Sequence, residues 1–271
     1  MRITWYGTAS LLLAEKGTTL AFDPFSGIPL DEGHAEKKPI PHARDYRRAD
    51  AVFVTHGHFD HILEIPPLYR GTGIRVRATK TPAKTLLARG LPEKNLLPIR
   101  PGFEEEIGPF RVRAFQGRHC RFDRGIIRET ALRKEVREHP FHMARLLLYG
   151  RSFPENGEIL FYEAEAGGKR VAILGSLGLD PKTRYPRGAD VLILPFQGRS
   201  DLELEKEGLR IVRRLRPKAV LLDHFDSSFP PMTKRVKTAA FEKLVERECG
   251  VPCRAFPKYR AITVKGSEDD G

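Results

Sequence analysis

A short apolar strand that ends in a cluster of metal-ligand side chains constrains this chain more than any other feature. The apolar, β-branched run at residues 51–55 is typical of a buried strand. His56, His58, Asp60 and His61 follow it within six positions. Imidazole nitrogens and carboxylate oxygens are the ligands that zinc and similar divalent ions accept. A single histidine is more often an ordinary core or surface residue, but four such ligands so close together predict a metal site.

This motif also carries a family resemblance. The pattern His-x-His-x-Asp-His after an apolar strand resembles the signature of the metallo-β-lactamase superfamily of metal-dependent hydrolases. Residues 3–13 and 21–24 are similar to the opening strands of that superfamily, and most closely to its branch of ascorbate-6-phosphate lactonase-like proteins. The resemblance implies a four-layer αββα sandwich, whereas the residue pattern alone supports only a fold of the α/β class.

The composition is that of a soluble globular protein. The 271 residues are 40% hydrophobic and 30% charged, and no apolar run reaches the ~18–20 residues that span a bilayer. We therefore predict no membrane span and no signal peptide. Three cysteines form no disulfide framework, and an odd number of them favours a reducing compartment, so we predict a cytoplasmic protein.

The pattern along the chain indicates a single domain over residues 1–264. An irregular loop at 26–48 is rich in proline, glycine and charge, and long loops of this kind inside a domain are usually functional. An insert at 119–143 contains a charged helix, and the apolar run at 145–149 predicts that strands resume there. The polar tail at 265–271 is predicted to be flexible.

The resemblance supplies further metal ligands beyond the motif. A histidine at the end of a later strand matches His119, and a histidine after a strand near the C-terminus matches His224. The alternative for His119 is that it is merely an exposed residue of its arginine-rich loop. The superfamily pattern divides the ligands between two ions: His56, His58 and His119 for the first, and Asp60, His61 and His224 for the second.

Such a site implies hydrolysis by a metal-bound hydroxide. A divalent ion lowers the pKa of a bound water from ~15.7 toward ~7. The resemblance gives Asp60 the catalytic role of holding and orienting that water. Zinc is the ion that these ligands favour most, with manganese and iron as alternatives, and one or two ions are expected.

The chain departs from the superfamily pattern at one ligand. Where the family carries a bridging aspartate in a Gly-Asp pair, this chain has Gly175 and Ser176. A neutral hydroxyl is a poorer ligand than a carboxylate, and the change removes a negative charge between two cations. We therefore expect one tight metal site and one weak or absent site. Asp180 is a candidate replacement, and Asp23 resembles a residue that orients a metal-bound histidine, although aspartate before proline also simply ends strands.

The net charge of +12 bears on the substrate. Basic residues are spread along the chain without the interleaved aromatic side chains of a nucleic-acid stacking platform. We therefore predict a hydrolase of a small anionic ester, lactone or phosphoester, with Arg118 and Arg121 as candidate substrate-binding residues. Two alternatives remain open: a nuclease or phosphodiesterase acting on nucleic acid, and a non-catalytic metal-binding descendant of the fold. The sequence indicates no particular oligomeric state.

Overall fold

Two seven-stranded sheets form the centre of the molecule. The computed structural model describes residues 1–30 and 40–264. From edge to edge, the first sheet consists of β14 (Ala261–Thr263), β1 (Arg2–Gly7), β2 (Ser10–Glu15), β3 (Thr18–Phe22), β4 (Ala51–Phe53), β5 (Val76–Ala78) and β6 (Leu96–Pro98). The second consists of β13 (Cys253–Ala255), β12 (Val220–Asp223), β11 (Val191–Pro195), β10 (Lys169–Leu174), β9 (Leu160–Ala166), β8 (Phe110–Gln116) and β7 (Glu104–Ile107).

Helices cover the outer face of each sheet. On the first sheet these are α1 (Ala43–Tyr46), α2 (Phe59–Ile62), α3 (Ile65–Tyr69) and α4 (Lys80–Ala88), followed by a 3₁₀ turn at Glu93–Asn95. The connection from β8 to β9 holds α5 (Arg124–Leu132), α6 (Lys134–Glu138) and α7 (Pro140–Ser152). On the second sheet they are α8 (Asp201–Leu215) and α9 (Ala239–Cys249). The predicted four-layer αββα sandwich is confirmed.

The two sheets meet through an aromatic core. The rings of Phe22 and Phe53 are stacked with centroids 5.2 Å apart, and each lies edge-on to the ring of Tyr162 from the second sheet at 5.5 Å. All three side chains are fully buried. The Tyr162 hydroxyl donates a hydrogen bond of 2.7 Å to the carbonyl of Val54, as a buried phenol requires. This bond holds the second sheet against the strand that leads into the metal motif.

Both sheets are mixed, and their parallel strands determine where the site forms. β3 to β6 run parallel to one another in the first sheet, and β10 to β13 do so in the second. β8 and β10 are each antiparallel to β9, so they also share a direction. The carboxyl ends of parallel strands meet at one edge of a sheet, which is where α/β proteins place ligands.

The strand predicted at residues 145–149 is wrong, because this segment belongs to α7. A short apolar run has no clear period and fits a buried strand or a helix equally well. Pro140 stands at the start of α7, where its fixed φ favours a helix, and Leu146 is buried among the helices on the first sheet. The helical insert therefore continues past the predicted boundary at residue 143, and its charged helix is two helices separated at Arg133, which has an extended backbone.

Sequence reasoning also missed strand β7, which carries three consecutive glutamates. The strand pairs with arginine-rich β8, and an ion pair between Glu104 and Arg111 joins the two strands in place of the apolar alternation that would reveal β7. The predicted loop at 26–48 includes α1, and its residues 31–39 lie outside the described residues, as does the predicted tail at 265–271. Within the described part of the chain, no helix is both long and apolar enough to cross a membrane.

Glu64, which precedes α3, is predicted to make stability depend on pH. Its Oε2 accepts hydrogen bonds from the backbone N–H and the hydroxyl of Ser26. Burial nevertheless raises the pKa of Glu64 to about 7 from its ordinary 4.5. Between these values the folded protein holds a proton that the unfolded chain has lost, so the free energy of unfolding falls as the pH rises, by up to ~1–3 kcal/mol.

Urea unfolding of the native protein and Glu64→Gln at pH 5, 6, 7 and 8 tests this expectation. Glutamine keeps the carbonyl acceptor and cannot ionise, so the variant should gain stability relative to the native protein as the pH rises from 5 to 8. A constant difference between the two proteins across this range would contradict the prediction.

Candidate metal centre

Strand ends from both sheets bring the six predicted metal ligands together in two groups. The turn after β4 and the short helix α2 that follows it contribute four of them, the end of β8 leads to His119, and His224 directly follows β12. Within each group, one ligand atom from each residue lies within 4.8 Å of those from the other two. The first group consists of His56, His58 and His119, and the second of Asp60, His61 and His224. The division is the one that the resemblance implied.

The first group presents converging imidazoles. His56 Nε2 lies 3.2 Å from His58 Nδ1, and the rings of His58 and His119 have centroids 4.6 Å apart. Burial, together with the neighbouring imidazoles, lowers the pKa of His56 well below its usual range and that of His58 to about 4. Both rings are therefore neutral at pH 7 and have lone pairs free for a metal ion.

The second group combines a carboxylate with two imidazoles. Asp60 Oδ2 lies 3.2 Å from His224 Nε2 and 3.6 Å from His61 Nε2. Burial would raise the pKa of Asp60, but His61 and His224 hold it well below its ordinary value. Against the effect of burial, Asp60 raises the pKa of His224 to about 9. A metal ion at this group would take the place of the proton on His224, so its binding would release that proton.

The two groups adjoin each other, and the remaining nitrogens of their imidazoles fit a metal centre. The rings of His56 and His61 have centroids only 3.9 Å apart. Metal-bound histidines characteristically use one ring nitrogen for the ion and bond the other to a carboxylate, carbonyl or polar side chain. Four rings do so here through Nδ1, leaving Nε2 for the ion: His56 to Thr55 Oγ1 (3.0 Å), His61 to Asp23 Oδ2 (2.7 Å), His119 to the Cys120 carbonyl (2.8 Å) and His224 to Gln197 Oε1 (3.1 Å).

Asp23 organises the base of the centre. It is fully buried at the end of β3, where Oδ1 accepts a hydrogen bond from the Thr55 backbone N–H at 2.8 Å and Oδ2 contacts both the Thr55 hydroxyl and His61. Its backbone has φ +44°, a left-handed value that is uncommon outside glycine. Gly175 lies against this arrangement, and a Cβ there would come within 2.3 Å of Thr55 Cβ, so only glycine fits at that position.

Ser176 and Asp180 occupy different surroundings. Ser176 is buried, and its hydroxyl accepts a hydrogen bond of 3.0 Å from the backbone N–H of Cys120, next to His119. Asp180 Oδ2 instead accepts hydrogen bonds from the Lys182 backbone N–H and the Thr183 hydroxyl. The structure brings Asp180 to neither ligand group, and a carboxylate bridge from this residue therefore has no geometric support.

The two candidate substrate-binding arginines flank His119. Arg118 is partly buried and Arg121 is exposed. Neither side chain has an ion-pair partner among residues 1–30 and 40–264. Phe122 lies beside them, with its ring centroid 6.2 Å from that of His119 and 61% of its surface exposed. Charged and apolar surfaces thus meet next to the first ligand group.

Sequence reasoning missed Gln197, which holds His224 in orientation. Gln197 also donates a hydrogen bond of 2.9 Å from Nε2 to the carbonyl of Lys234, which fixes its amide with Oε1 toward His224. A signal for it exists, because Gln197 follows β11, and His224 directly follows the neighbouring parallel strand β12. Polar residues that follow neighbouring parallel strands are expected at the same edge of a sheet.

Comparison with known proteins agrees with this architecture. Residues 2–224 match the model of a family described as the Beta-lactamase superfamily domain. A UPF0173 protein of Pyrococcus abyssi is 27% identical over 226 residues, 83% of each chain. A UPF0173 metal-dependent hydrolase of Methylobacterium nodulans is 27% identical over 237 residues, 85% of this chain and 86% of the relative. The fold is similar to that of Igni18, a metallo hydrolase of Ignicoccus hospitalis, with a TM-score of 0.64 and 19% identity over 97% of this chain and 98% of the other.

Proposed function

Since the chain belongs to the family described as the Beta-lactamase superfamily domain, we propose that it is a metal-dependent hydrolase of small anionic esters, lactones or phosphoesters. The observation that carries the proposal is the pair of adjacent ligand groups, in which four imidazoles are oriented by a bond from Nδ1 to the protein, so that Nε2 is the nitrogen left to bind an ion. These imidazole and carboxylate ligands favour zinc, with manganese and iron as alternatives.

The chain's own residues divide the work of hydrolysis among binding, orientation and proton handling. A divalent ion held by the two ligand groups would activate water and polarise a carbonyl or phosphoryl oxygen of the substrate. Asp60, which stays ionised beside His61 and His224, accepts a hydrogen bond from the attacking water and orients it. Arg118 and Arg121 bind the negative charge of the substrate, and the exposed ring of Phe122 offers an apolar surface beside His119.

The substrate class rests on this charge pattern. The resemblance of the opening strands to the ascorbate-6-phosphate lactonase-like branch adds lactones to the candidates, and membership of that branch remains a prediction. All three cysteines are free thiols, which supports the proposal of a reducing, cytoplasmic location.

Metal content tests the proposal first. Elemental mass spectrometry of protein purified without added metal should find about one to two equivalents of zinc, manganese or iron. Mild chelation should remove the metal together with hydrolysis of phosphodiesters, lactones or phosphorylated sugars, and refilling should restore both. A protein that holds no metal and takes none up would refute the proposal and favour a non-catalytic descendant of the fold.

Ser176→Asp tests whether the missing bridging carboxylate weakens one metal site. Ser176 already lies beside His119 through its bond with the Cys120 N–H, so a carboxylate at this position is expected to offset the repulsion between two divalent ions. We expect the variant to bind closer to two equivalents of metal, with a higher turnover, as measured by metal titration and steady-state kinetics. Ser176→Ala is the control for loss of the hydroxyl alone. Two equally tight metal sites in the native protein would contradict the prediction.

A further inference from the structure

A basic pocket lies apart from the two ligand groups in the chain. It has a volume of about 470 Å³ and is lined by residues 181–185, Arg187 and Arg214. The loop between β10 and β11 supplies most of the lining, and α8 contributes Arg214. None of these residues belongs to either metal-ligand group. The pocket therefore calls for a role of its own.

Hydrogen bonds fix the shape of this loop. Arg214 donates from Nη2 to the carbonyls of Asp180 (3.0 Å) and Thr183 (2.8 Å), and its guanidinium carbon lies 5.0 Å from the centroid of the Tyr185 ring. The Tyr185 hydroxyl accepts a hydrogen bond of 2.8 Å from the backbone N–H of Asp180 and donates one to the carbonyl of Gln116. A loop held in this way loses little freedom when a ligand binds.

The exposed cations of the loop lack the acidic partners that basic residues on the adjacent helix α8 have. Lys182, Arg184 and Arg187 are exposed, and none has an ion pair within the part of the chain that the structure describes. The neighbouring carboxylate of Asp180 is engaged by hydrogen bonds within the loop. On adjacent α8, by contrast, Arg210 pairs with Glu207, and Arg213 pairs with Glu248.

We propose that this pocket binds the phosphate of a ligand that carries at least two negative charges. Four cations around one cavity repel each other, and a multiply charged anion would offset that repulsion. Guanidinium groups match phosphate oxygens through paired hydrogen bonds, and a lysine ammonium adds a point charge. The phosphate belongs either to a small free anion or to the backbone of a polynucleotide, because both present the same oxygens.

The pocket is joined to the loop that carries a candidate metal ligand. The Tyr185 hydroxyl donates a hydrogen bond to the carbonyl of Gln116, and Gly117 forms an antiparallel bridge with Leu179. The candidate ligand His119 lies two residues after Gly117. The proposal does not rest on hydrolysis, since it is tested by binding alone.

The test compares the native protein with two variants that lose the same charge. The pocket variant carries Lys182→Gln, Arg184→Gln and Arg187→Gln and keeps Arg214, which holds the loop. The control variant removes three paired cations from α8: Lys206→Gln, Arg210→Gln and Arg213→Gln. Melting temperatures establish that both variants are folded. Calorimetry with pyrophosphate, and fluorescence anisotropy with a labelled single-stranded oligonucleotide, measure binding at low and high salt.

We expect the pocket variant to bind pyrophosphate about tenfold more weakly than the native protein, with the control variant nearly unchanged. Hydrogen exchange at residues 180–187 should slow when pyrophosphate binds to the native protein. Any binding at the metal centre is common to all three proteins and cancels in the comparison. Weakened binding of the oligonucleotide alone would also support the site and assign its phosphate to a polynucleotide. No binding of either probe, or equal effects of the two variants, would overturn the proposal.

Discussion

Replacing His58 with alanine is expected to lower turnover by about 10³-fold or more and to remove most of the metal from the first ligand group. His58 Nδ1 faces His56 Nε2 at 3.2 Å, and the ring also adjoins His119. Without it, the group retains two imidazoles, too few to hold an ion tightly against competition from water. Steady-state kinetics and elemental mass spectrometry on the same sample would measure both losses.

A matched substitution makes this result specific. His139→Ala also removes one imidazole, from the residue that precedes α7 and belongs to neither ligand group, and it should leave metal content and turnover close to native. If His58→Ala kept both the metal and the activity, the first ligand group would not be the reaction centre.

Asp23→Asn is expected to weaken metal binding about 10- to 100-fold, although the side chain contacts no ion itself. Asp23 Oδ2 fixes His61 through Nδ1 and also accepts from the Thr55 hydroxyl. An amide nitrogen in that position would donate where an acceptor is needed, and it would favour the wrong tautomer of His61. The buried mismatch should also lower the free energy of unfolding by ~1–3 kcal/mol.

Metal titration and urea unfolding measure the two effects of Asp23→Asn. Asp50→Asn is the control, because Asp50 also accepts a backbone hydrogen bond, from Thr19, but at an exposed position far along the strand pair from the ligands. Equal metal affinity of Asp23→Asn and the native protein would show that His61 is oriented by other contacts or is not a ligand.

The sequence was informative where chemistry depends on near neighbours in the chain. His56 to His61 occupy the turn after β4 and the start of α2, so residue types and spacing were sufficient to predict a metal site. His119 and His224 were found only through the family resemblance, since their approach depends on how two sheets pack. Gln197 was missed for a related reason: its contact with His224 spans two neighbouring strands, and only its position after β11, next to the parallel strand that precedes His224, could have indicated it.

The backbone conformation of the site residues is a second feature that the sequence did not indicate. Asp23 and His224 both have a left-handed backbone conformation, with φ of +44° and +56°. Neither residue type by itself predicts that conformation from the sequence. The error at residues 145–149 has a different origin, because an apolar run of that length packs as well on a helix as on a strand.

Each ligand group draws on both sheets, with a single residue from the second: His119 in one group and His224 in the other. A bound ion would therefore link the two sheets directly. The free energy of unfolding of the whole protein would then depend on the concentration of free metal. Loss of the metal would then destabilise the fold as well as abolish the activity. In the same way, a substitution in the core between the sheets could shift the ligands by a fraction of an ångström. Its first measurable effect would be a changed metal affinity, well before the protein unfolds.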